Sequence, residues 1–296
     1  MKITRILLST AVMVTVLFTS CQQKAGQQKA AQSETEEMDE FQRKLQNINP
    51  GLEDPTIVMA ALDMAGAEYI DGLVVPMENV DFYAKDPALA ALTLGVYTVD
   101  IAYLVSYGKN DEALIKYERA RKLAAAIGLV SSFEEGIFER YVTAGADPDT
   151  LRKNLTMTAH NIDVEMSKGE HARHAVLFVT GEFVEKMYVL TRVIAQFPDD
   201  FPEDVRAQLL RHLMIGIVEQ EEHLNDLIEL LNQIRDEGEG EEFMAEMNAL
   251  KQIYDEANFK EIIANWTPQT TATGEYMARI TDRVIKIRAR IISLDR

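Results

Sequence analysis

The pattern of hydrophobic and polar positions predicts a chain of helices arranged around one long apolar stretch, residues 87–107. Every helical face of this stretch is apolar, and its only charged residue is Asp100. Its ends carry helix signals, because Asp86 is placed as an N-cap, Pro87 occupies the first helical position and Gly108 follows the last turn. A helix that is apolar all round is buried on all sides, so this stretch is predicted to be the core helix.

A stretch of about 20 apolar residues also fits a membrane span, and this alternative competes with the core helix. Asp100 lies in the middle of the stretch, where an aspartate costs roughly 2.5–3.5 kcal/mol on membrane-insertion scales. Thr93, Thr98 and Ser106 add polar groups to the same stretch. The sequence therefore favours a buried helix within a folded domain.

Helical periodicity and turn residues divide the rest of the chain into further helices, and no segment shows convincing strand alternation. The predicted helices run from Ser33 to the turn at residues 49–51 and then over residues 55–70, 110–127, 133–144, 148–166, 170–197, 203–235, 243–264 and 274–293, with an acidic loop at 236–242. The predicted class is all-α, either a multi-helix bundle or an irregular array of helical hairpins.

An export signal precedes these helices. Two basic residues stand before an apolar stretch over residues 6–18, and small residues lead to Cys21, the only cysteine. Residues 17–21, Leu-Phe-Thr-Ser-Cys, resemble the lipobox of bacterial lipoproteins, with Phe18 where Leu is usual. The resemblance implies cleavage before Cys21 and acylation of the cysteine, palmitate included. An uncleaved anchor and an ordinary signal with an incidental cysteine are the alternatives.

The same resemblance divides the chain into a signal peptide over residues 1–20, a lipidated cysteine with a flexible tether over 21–33, and one all-helical domain over 34–296. Residues 22–33 contain only Gln, Lys, Ala, Gly and Ser, which have nothing to bury. The acyl chains would make the membrane a partner and place the protein in the cell envelope. By the enterobacterial sorting rule, Gln22 directs it to the outer membrane, facing the periplasm.

The charge of the chain argues against nucleic acid and anionic lipid headgroups as partners. Removal of residues 1–20 takes away two basic residues and no acid, so the formal net charge of −18 becomes −20. With its only thiol acylated, an exported chain forms neither disulfides nor cysteine metal sites. Its stability must come from the core.

The core helix and its successor resemble one half of a tetratricopeptide unit. Gly108, Ala113, Tyr117 and Ala120 occupy the small and aromatic positions of that family, whereas Ala125 stands at the usual proline position. Such arrays need about three stacked repeats to be stable. An assembly scaffold of helical hairpins is therefore one alternative for the architecture and the function.

Two of the apolar helices share a pattern of valine, an acid, two further residues and tyrosine. A glycine stands four residues before the valine in the first helix and three before it in the second. The residues are Gly95, Val99, Asp100 and Tyr103 in the first helix and Gly181, Val184, Glu185 and Tyr188 in the second. Because the glycine spacing differs by one residue, duplication and chance explain the pattern equally well.

Residues 94–100 and 181–185 also resemble a family of helical lipoproteins of Gram-negative bacteria, over about residues 50–235. That resemblance implies location and fold and carries no activity.

Signatures of common enzyme classes are absent, since the chain has no GxSxG elbow, no phosphate loop and no HExxH zinc helix. A ferritin-like di-iron site needs Glu-x-x-His on two helices, and no histidine here has a glutamate three residues before it. Two stripes could still supply nitrogen and oxygen ligands to zinc or a similar ion. They are His171, His174, Glu182 and Glu185 on one helix and His212, Glu219 and His223 on the next. A solvent-exposed edge is the favoured interpretation of both stripes, and the sequence implies no cofactor.

Six residues are candidates for binding because they set polar groups in apolar helices. They are Asp100, Tyr103, Glu182, Glu185, Tyr188 and Glu221. A buried acid needs a hydrogen-bonded or charged partner, and perturbed acids mark functional sites only in some proteins. Structural contacts with Arg192, Lys186 or tyrosines are the alternative. The basic amphipathic helix over 274–293 is expected to dock on the acidic helices of its own chain.

Together these observations favour a lipid-anchored, non-enzymatic module that binds an envelope protein or a small ligand. A metal-binding or enzymatic bundle that uses the carboxylates and histidines is the second hypothesis. A tetratricopeptide-like scaffold is the third.

Overall fold

A computed structural model confirms the all-α class for the residues that it describes. These are residues 67–133, 136–137, 147–166, 171–197, 202–234, 239–267 and 274–294, together with 43 and 143, and no strand occurs among them. The chain divides into two units, Met1–Arg43 and Lys44–Arg296. Every element below belongs to the second unit. The predicted signal peptide, Cys21, the tether and the helix that starts at Ser33 lie outside the described residues, apart from Arg43.

Nine helices and one short 3-10 turn follow in the described ranges. They are α1 (Val80–Tyr83), α2 (Pro87–Ser106), α3 (Asn110–Ala126), the 3-10 turn (Val130–Ser132), α4 (Pro148–Met166), α5 (Ala172–Ala195), α6 (Glu203–Gln233), α7 (Glu239–Ala257), α8 (Phe259–Ala264) and α9 (Glu275–Ile292). For α2 to α6 and α9, the predicted ends agree with the observed ends to within two residues.

The remaining predictions differ from the structure at their boundaries. The predicted acidic loop at 236–242 is helical from Glu239 onward, because acidic side chains near a helix N-terminus are favoured by the helix dipole. The shorter helices predicted near 243–264 are observed as α7 and α8, which are separated at Asn258 with a φ of 45°. Residues 67–70, predicted as the end of a helix, are not helical. Most of the predicted helix over 133–144 lies outside the described residues.

The ends of α2 confirm the predicted capping. The Asp86 carboxylate accepts hydrogen bonds from the backbone N–H groups of Ala88 and Leu89, at 2.8 and 3.0 Å. Gly108 adopts a φ of 70° just beyond the helix, a conformation that glycine takes at no steric cost. Local signals at both ends therefore define this helix.

The core prediction for α2 is confirmed, because the helix is buried along its N-terminal half and on most faces of the rest. By length and hydropathy α2 is the one helix among the described residues that could cross a membrane, yet 83% of its apolar window is buried inside the unit. It packs between α5 and α3. Gly95 of α2 and Gly181 of α5 lie where the two helices cross, and their backbones meet there.

The outer helices surround this central pair. Helix α6 packs against α5 and α7, and α9 packs against α5 and α7 as well. The basic side chains of α9 confirm the predicted docking on acidic helices of the same chain: Arg279 contacts Glu256 at 2.7 Å and Arg283 contacts Glu246 at 2.8 Å. These partly exposed pairs contribute little stability individually. The apolar face of α9 is buried against these helices and adds hydrophobic stabilisation.

Candidate functional site

Residues 67–76, here called the strap, form a non-helical segment that contacts α2, α3 and α9. Its Leu73 and Val75 side chains are only 2% and 1% exposed. Buried backbone outside a helix or sheet needs hydrogen-bond partners for its N–H and C=O groups. Gly72 turns the strap with a φ of 72°. The partners of the strap come from side chains of the surrounding helices.

The first set of partners is a buried ion pair between α2 and α3. The carboxylate of Asp100 lies 2.7 Å from the ammonium of Lys116, and neither side chain is exposed. Asp100 accepts a hydrogen bond from the N–H of Val75 at 3.0 Å, and Lys116 donates to the carbonyl of Val75 at 2.5 Å. The ammonium also lies 4.4 Å from the centre of the Tyr97 ring. One ion pair thus satisfies both backbone groups of Val75.

The second set is a buried ion pair between α5 and α9. Arg288 donates from Nε and Nη2 to the two carboxylate oxygens of Glu185, at 2.6 and 2.9 Å. The same Nη2 donates to the carbonyl of Leu73 at 3.0 Å. The guanidinium lies 3.9 Å from the centre of the Tyr188 ring. This fork geometry is the strongest form of side-chain ion pair, and it fixes the strap at a second point.

The two ion pairs form one charged cluster, because the carboxyl groups of Asp100 and Glu185 are neighbours. Burial and the adjacent charge of Asp100 raise the pKa of Glu185 to about 8, although Arg288 acts in the opposite direction. With both acids ionised, Oδ1 of Asp100 is buried without a hydrogen-bond partner. A proton on Glu185 would be donated to Asp100. The cluster is therefore a buried group of charges whose net charge depends on whether Glu185 is protonated.

Two tyrosines of the core region hold the N-terminal end of the strap. The hydroxyl of Tyr103 accepts a hydrogen bond from the N–H of Ile70 at 2.8 Å. The hydroxyl of Tyr107 donates to the carbonyl of Ala67 at 2.9 Å. The Tyr69 ring stacks on the Tyr103 ring with 5.5 Å between centroids. The predicted binding residue Tyr103 thus binds the chain's own backbone.

A cavity of about 320 Å³ lies between the strap and the C-terminal half of α5. Its lining comprises Ala67, Glu68, Tyr69, Ile70, Asp71, Gly72, Leu73, Tyr188, Arg192, Val193, Gln196 and Phe197. Small-molecule sites are typically clefts of roughly 300–1,000 Å³ with apolar walls and a few polar groups. The volume of the cavity lies within that range, and its exposed lining is more polar than apolar.

The charged groups of the cavity do not neutralise one another. No ion pair joins Arg192 to Glu68 or Asp71 among the described residues, although all three line the same space. Nε of Arg192 is buried without a hydrogen-bond partner, and both acids are exposed. The cavity therefore presents one cation and two carboxylates that lack charged partners within the described part of the chain.

The structure brings two of the six predicted binding residues into the charged cluster and two others beside the strap. Asp100 and Glu185 form the cluster, Tyr103 binds the strap and Tyr188 lines the cavity. The favoured interpretation of the α5 acids as a solvent-exposed edge is wrong, because Glu182 is 6% exposed and Glu185 is fully buried. His171 and His174 of the same stripe are partly buried.

Glu182 and Glu221 do not join the cavity lining. Burial lowers the pKa of Lys186, and the charge of Glu182 opposes that shift. Glu221 is half-buried on α6. Burial and, to a smaller extent, the charge of Glu221 raise the pKa of Tyr254. The hydroxyl of Tyr254 donates to the carbonyl of Ile217 at 2.8 Å. These contacts belong to the packing of α5, α6 and α7.

The histidines are dispersed. His171 and His174 lie with 6.4 Å between ring centroids, and burial lowers the pKa of His174. His212 and Glu219 are exposed, whereas His223 is half-buried, and burial lowers its pKa as well. Within the described ranges, no three His, Cys, Asp or Glu side chains are grouped so that they could hold a metal ion.

Sequence reasoning missed Lys116 and Arg288, the basic partners in the cluster. A signal for each was present. Lys116 stands three residues after Ala113 and four before Ala120, so helical spacing places it on the buried face of α3. Arg288 lies four residues after Val284 on the apolar stripe of α9. A lone basic residue on an apolar face should be paired with a buried acid on another helix.

Comparison with family models, with curated proteins and with solved structures found no match for this chain. The assignment of a function therefore rests on the sequence and on the geometry described above.

Proposed function

We propose that this protein is a non-enzymatic, lipid-anchored module of the bacterial cell envelope that binds a small ligand in the cavity between the strap and α5. The observation that carries the proposal is the cavity itself, which places Arg192 beside Tyr69 and Tyr188, with no charged partner for Arg192 among the described residues. Polar groups that line a binding cavity orient a ligand and give specificity.

The way in which the strap is held supports binding. Its backbone is fixed to α2, α3 and α9 by the charged cluster and the two tyrosines. When a wall of a site is ordered before the ligand binds, binding does not include the free-energy cost of ordering it, and the affinity is higher. The charged cluster therefore serves the site by positioning one of its walls, and its members are positioning residues.

The leader sequence supports the location. Residues 17–21 place the only cysteine where lipoproteins carry their acyl chains. Intact-mass measurement of the full chain expressed in a Gram-negative bacterium tests this part of the proposal. The expected mass is that of a chain beginning at Cys21 with acyl chains attached, and Cys21→Ser should abolish acylation. A chain that retains Met1 and an unmodified thiol would contradict it.

Native mass spectrometry of the same purified chain tests the binding function. A small molecule should remain bound to the wild-type protein and dissociate on activation. Gln196 lies at the exposed edge of the cavity, so Gln196→Trp should block the cavity without disturbing the core. Gln208→Trp, at an exposed position of α6 outside the lining, is the matched control and should retain the molecule. Equal loss or equal retention in both variants would count against the cavity.

A further inference from the structure

We infer that the ligand of the cavity is a small zwitterion with an apolar group, of the class of an apolar amino acid. Its carboxylate would bind Arg192, and its ammonium would lie between Glu68 and Asp71. This inference rests on the proposed function and names the chemistry of its ligand.

The first argument is the separation of opposite charges. Arg192 lies on α5, whereas Glu68 and Asp71 lie on the strap, and the cavity lies between these two elements. No ion pair crosses the gap among the described residues, although residues of both signs of charge line the same cavity. A ligand that carries one charge of each sign can satisfy both walls at once.

The second argument concerns Arg192. Its side chain is partly buried and its Nε is covered by protein, so a ligand reaches the guanidinium through its two terminal nitrogens. The planar guanidinium matches a carboxylate in geometry, and the pairing gains strength where water is partly excluded. Gln196 stands one helical turn further along α5 and lines the same cavity, where its amide supplies a neutral donor.

The third argument is the balance of charge and apolar surface. An anion without an ammonium would face two carboxylates, and a cation without a carboxylate would leave Arg192 unpaired. Val193, Phe197 and Leu73 are buried residues of the lining. Tyr69 and Tyr188 add aromatic surface. These groups give the mostly polar lining a smaller apolar part, which an aliphatic or aromatic side chain can contact beside the two charged ends.

Isothermal titration calorimetry of the full wild-type chain with three probes tests the inference. The probes share a phenyl group: L-phenylalanine carries both charges, 3-phenylpropanoate lacks the ammonium, and 2-phenylethylamine lacks the carboxylate. Each missing charged contact should weaken binding about tenfold or more, since hydrogen bonds to charged groups contribute about 1.5–3 kcal/mol. L-Phenylalanine should therefore bind most tightly.

Substitutions of the lining residues test which of them binds the carboxylate of the ligand and which bind its ammonium. Arg192→Gln should weaken L-phenylalanine binding about tenfold or more while leaving 2-phenylethylamine unchanged. The double variant Glu68→Gln/Asp71→Asn should weaken L-phenylalanine and leave 3-phenylpropanoate equal or tighter. Arg119→Gln and Glu241→Gln, exposed positions outside the lining, are matched controls and should bind as the wild type does.

The outcomes separate this inference from the proposed function. If 3-phenylpropanoate or 2-phenylethylamine binds as tightly as L-phenylalanine, the zwitterion assignment is overturned while the cavity remains a binding site. If no probe binds and a different molecule is retained in native mass spectrometry and lost in Gln196→Trp, the ligand class is wrong and the function stands. If no probe binds and no molecule is retained, both fail.

Discussion

Gly95 of α2 and Gly181 of α5 lie at the crossing of the two central helices, where neither residue has room for a side chain. A Cβ on Gly95 would lie 2.1 Å from the carbonyl oxygen of Phe178, and a Cβ on Gly181 would lie 2.0 Å from that of Leu92. Both neighbours are backbone atoms of the opposite helix, so a larger residue must push the helices apart. That separation would also move Asp100 away from Glu185.

We expect Gly95→Ala and Gly181→Ala each to lower the free energy of unfolding by about 3 kcal/mol or more, at the upper end of the cost of overpacking. Urea unfolding followed by the fluorescence of Trp266, the only tryptophan, measures this loss. Gly216→Ala is the matched control, because a Cβ there meets only the methyl groups of Leu190 at 4.0 Å. It should be neutral or stabilising by up to about 1 kcal/mol.

The pair of Asp100 and Lys116 predicts strong coupling. Lys116→Met leaves a fully buried carboxylate without its charged partner, and we expect a loss of about 3–5 kcal/mol. The double variant Asp100→Asn/Lys116→Met removes both charges, so it should be less destabilised than Lys116→Met alone. The midpoints of urea unfolding of both single variants and the double variant complete the cycle. Losses that simply add would show that the two side chains do not act as a pair.

The raised pKa of Glu185 predicts a pH dependence of stability. A carboxyl with a raised folded pKa holds its proton more tightly in the folded state than in the unfolded state. Its contribution to stability is complete below the unfolded pKa of about 4.3 and is lost as the pH rises through the folded value of about 8. We therefore expect the wild type to lose stability from pH 5 to pH 9 more steeply than Glu185→Gln does.

Urea midpoints measured at intervals across this range test the expectation. Glu241→Gln, at an exposed position of α7, is the control and should follow the wild-type curve. His174 and His223 have lowered pKa values, and they titrate in both the wild type and Glu185→Gln. Parallel curves for the wild type and Glu185→Gln would show that Glu185 does not hold its proton through neutral pH.

The attachment of the strap predicts a local effect. Tyr107→Phe removes the hydroxyl that donates to the carbonyl of Ala67, which should cost about 1 kcal/mol. Amide hydrogen exchange should become faster in residues 67–76 and stay unchanged in α6. Tyr276→Phe is the control, because no described residue is hydrogen-bonded to that hydroxyl, and it should leave exchange in the strap unchanged. Unchanged exchange in Tyr107→Phe would show that the Tyr107 hydroxyl does not stabilise the strap.

Much of the fold could be predicted from local sequence. Asp86, Pro87 and Gly108 define the ends of α2 through interactions within a few residues, which a sequence displays directly. The burial of Asp100 followed from the apolar residues around it. Periodicity failed at residues 67–70, because the hydrophobic spacing there resembles a helix, whereas side chains from distant helices bind the backbone in another conformation.

The site depended on contacts that no local pattern contains. Arg288 binds the carbonyl of Leu73 from 215 residues further along the chain. That Arg192 has no charged partner among the described residues becomes visible only when the strap and α5 are placed around the same cavity. The solvent-exposed edge that the sequence predicts for Glu182 and Glu185 is wrong because a single helix does not show which neighbours cover it. The relative positions of helices, set by tertiary packing, decide each of these points.

Hydrogen–deuterium exchange of the full chain with and without saturating L-phenylalanine tests most directly that the strap and α5 enclose the ligand site. The account predicts slower exchange in peptides that cover residues 67–73 and 188–197, with α6 and α7 unchanged, and no such protection in Gln196→Trp. Protection confined to other segments, or equal protection in Gln196→Trp, would contradict it.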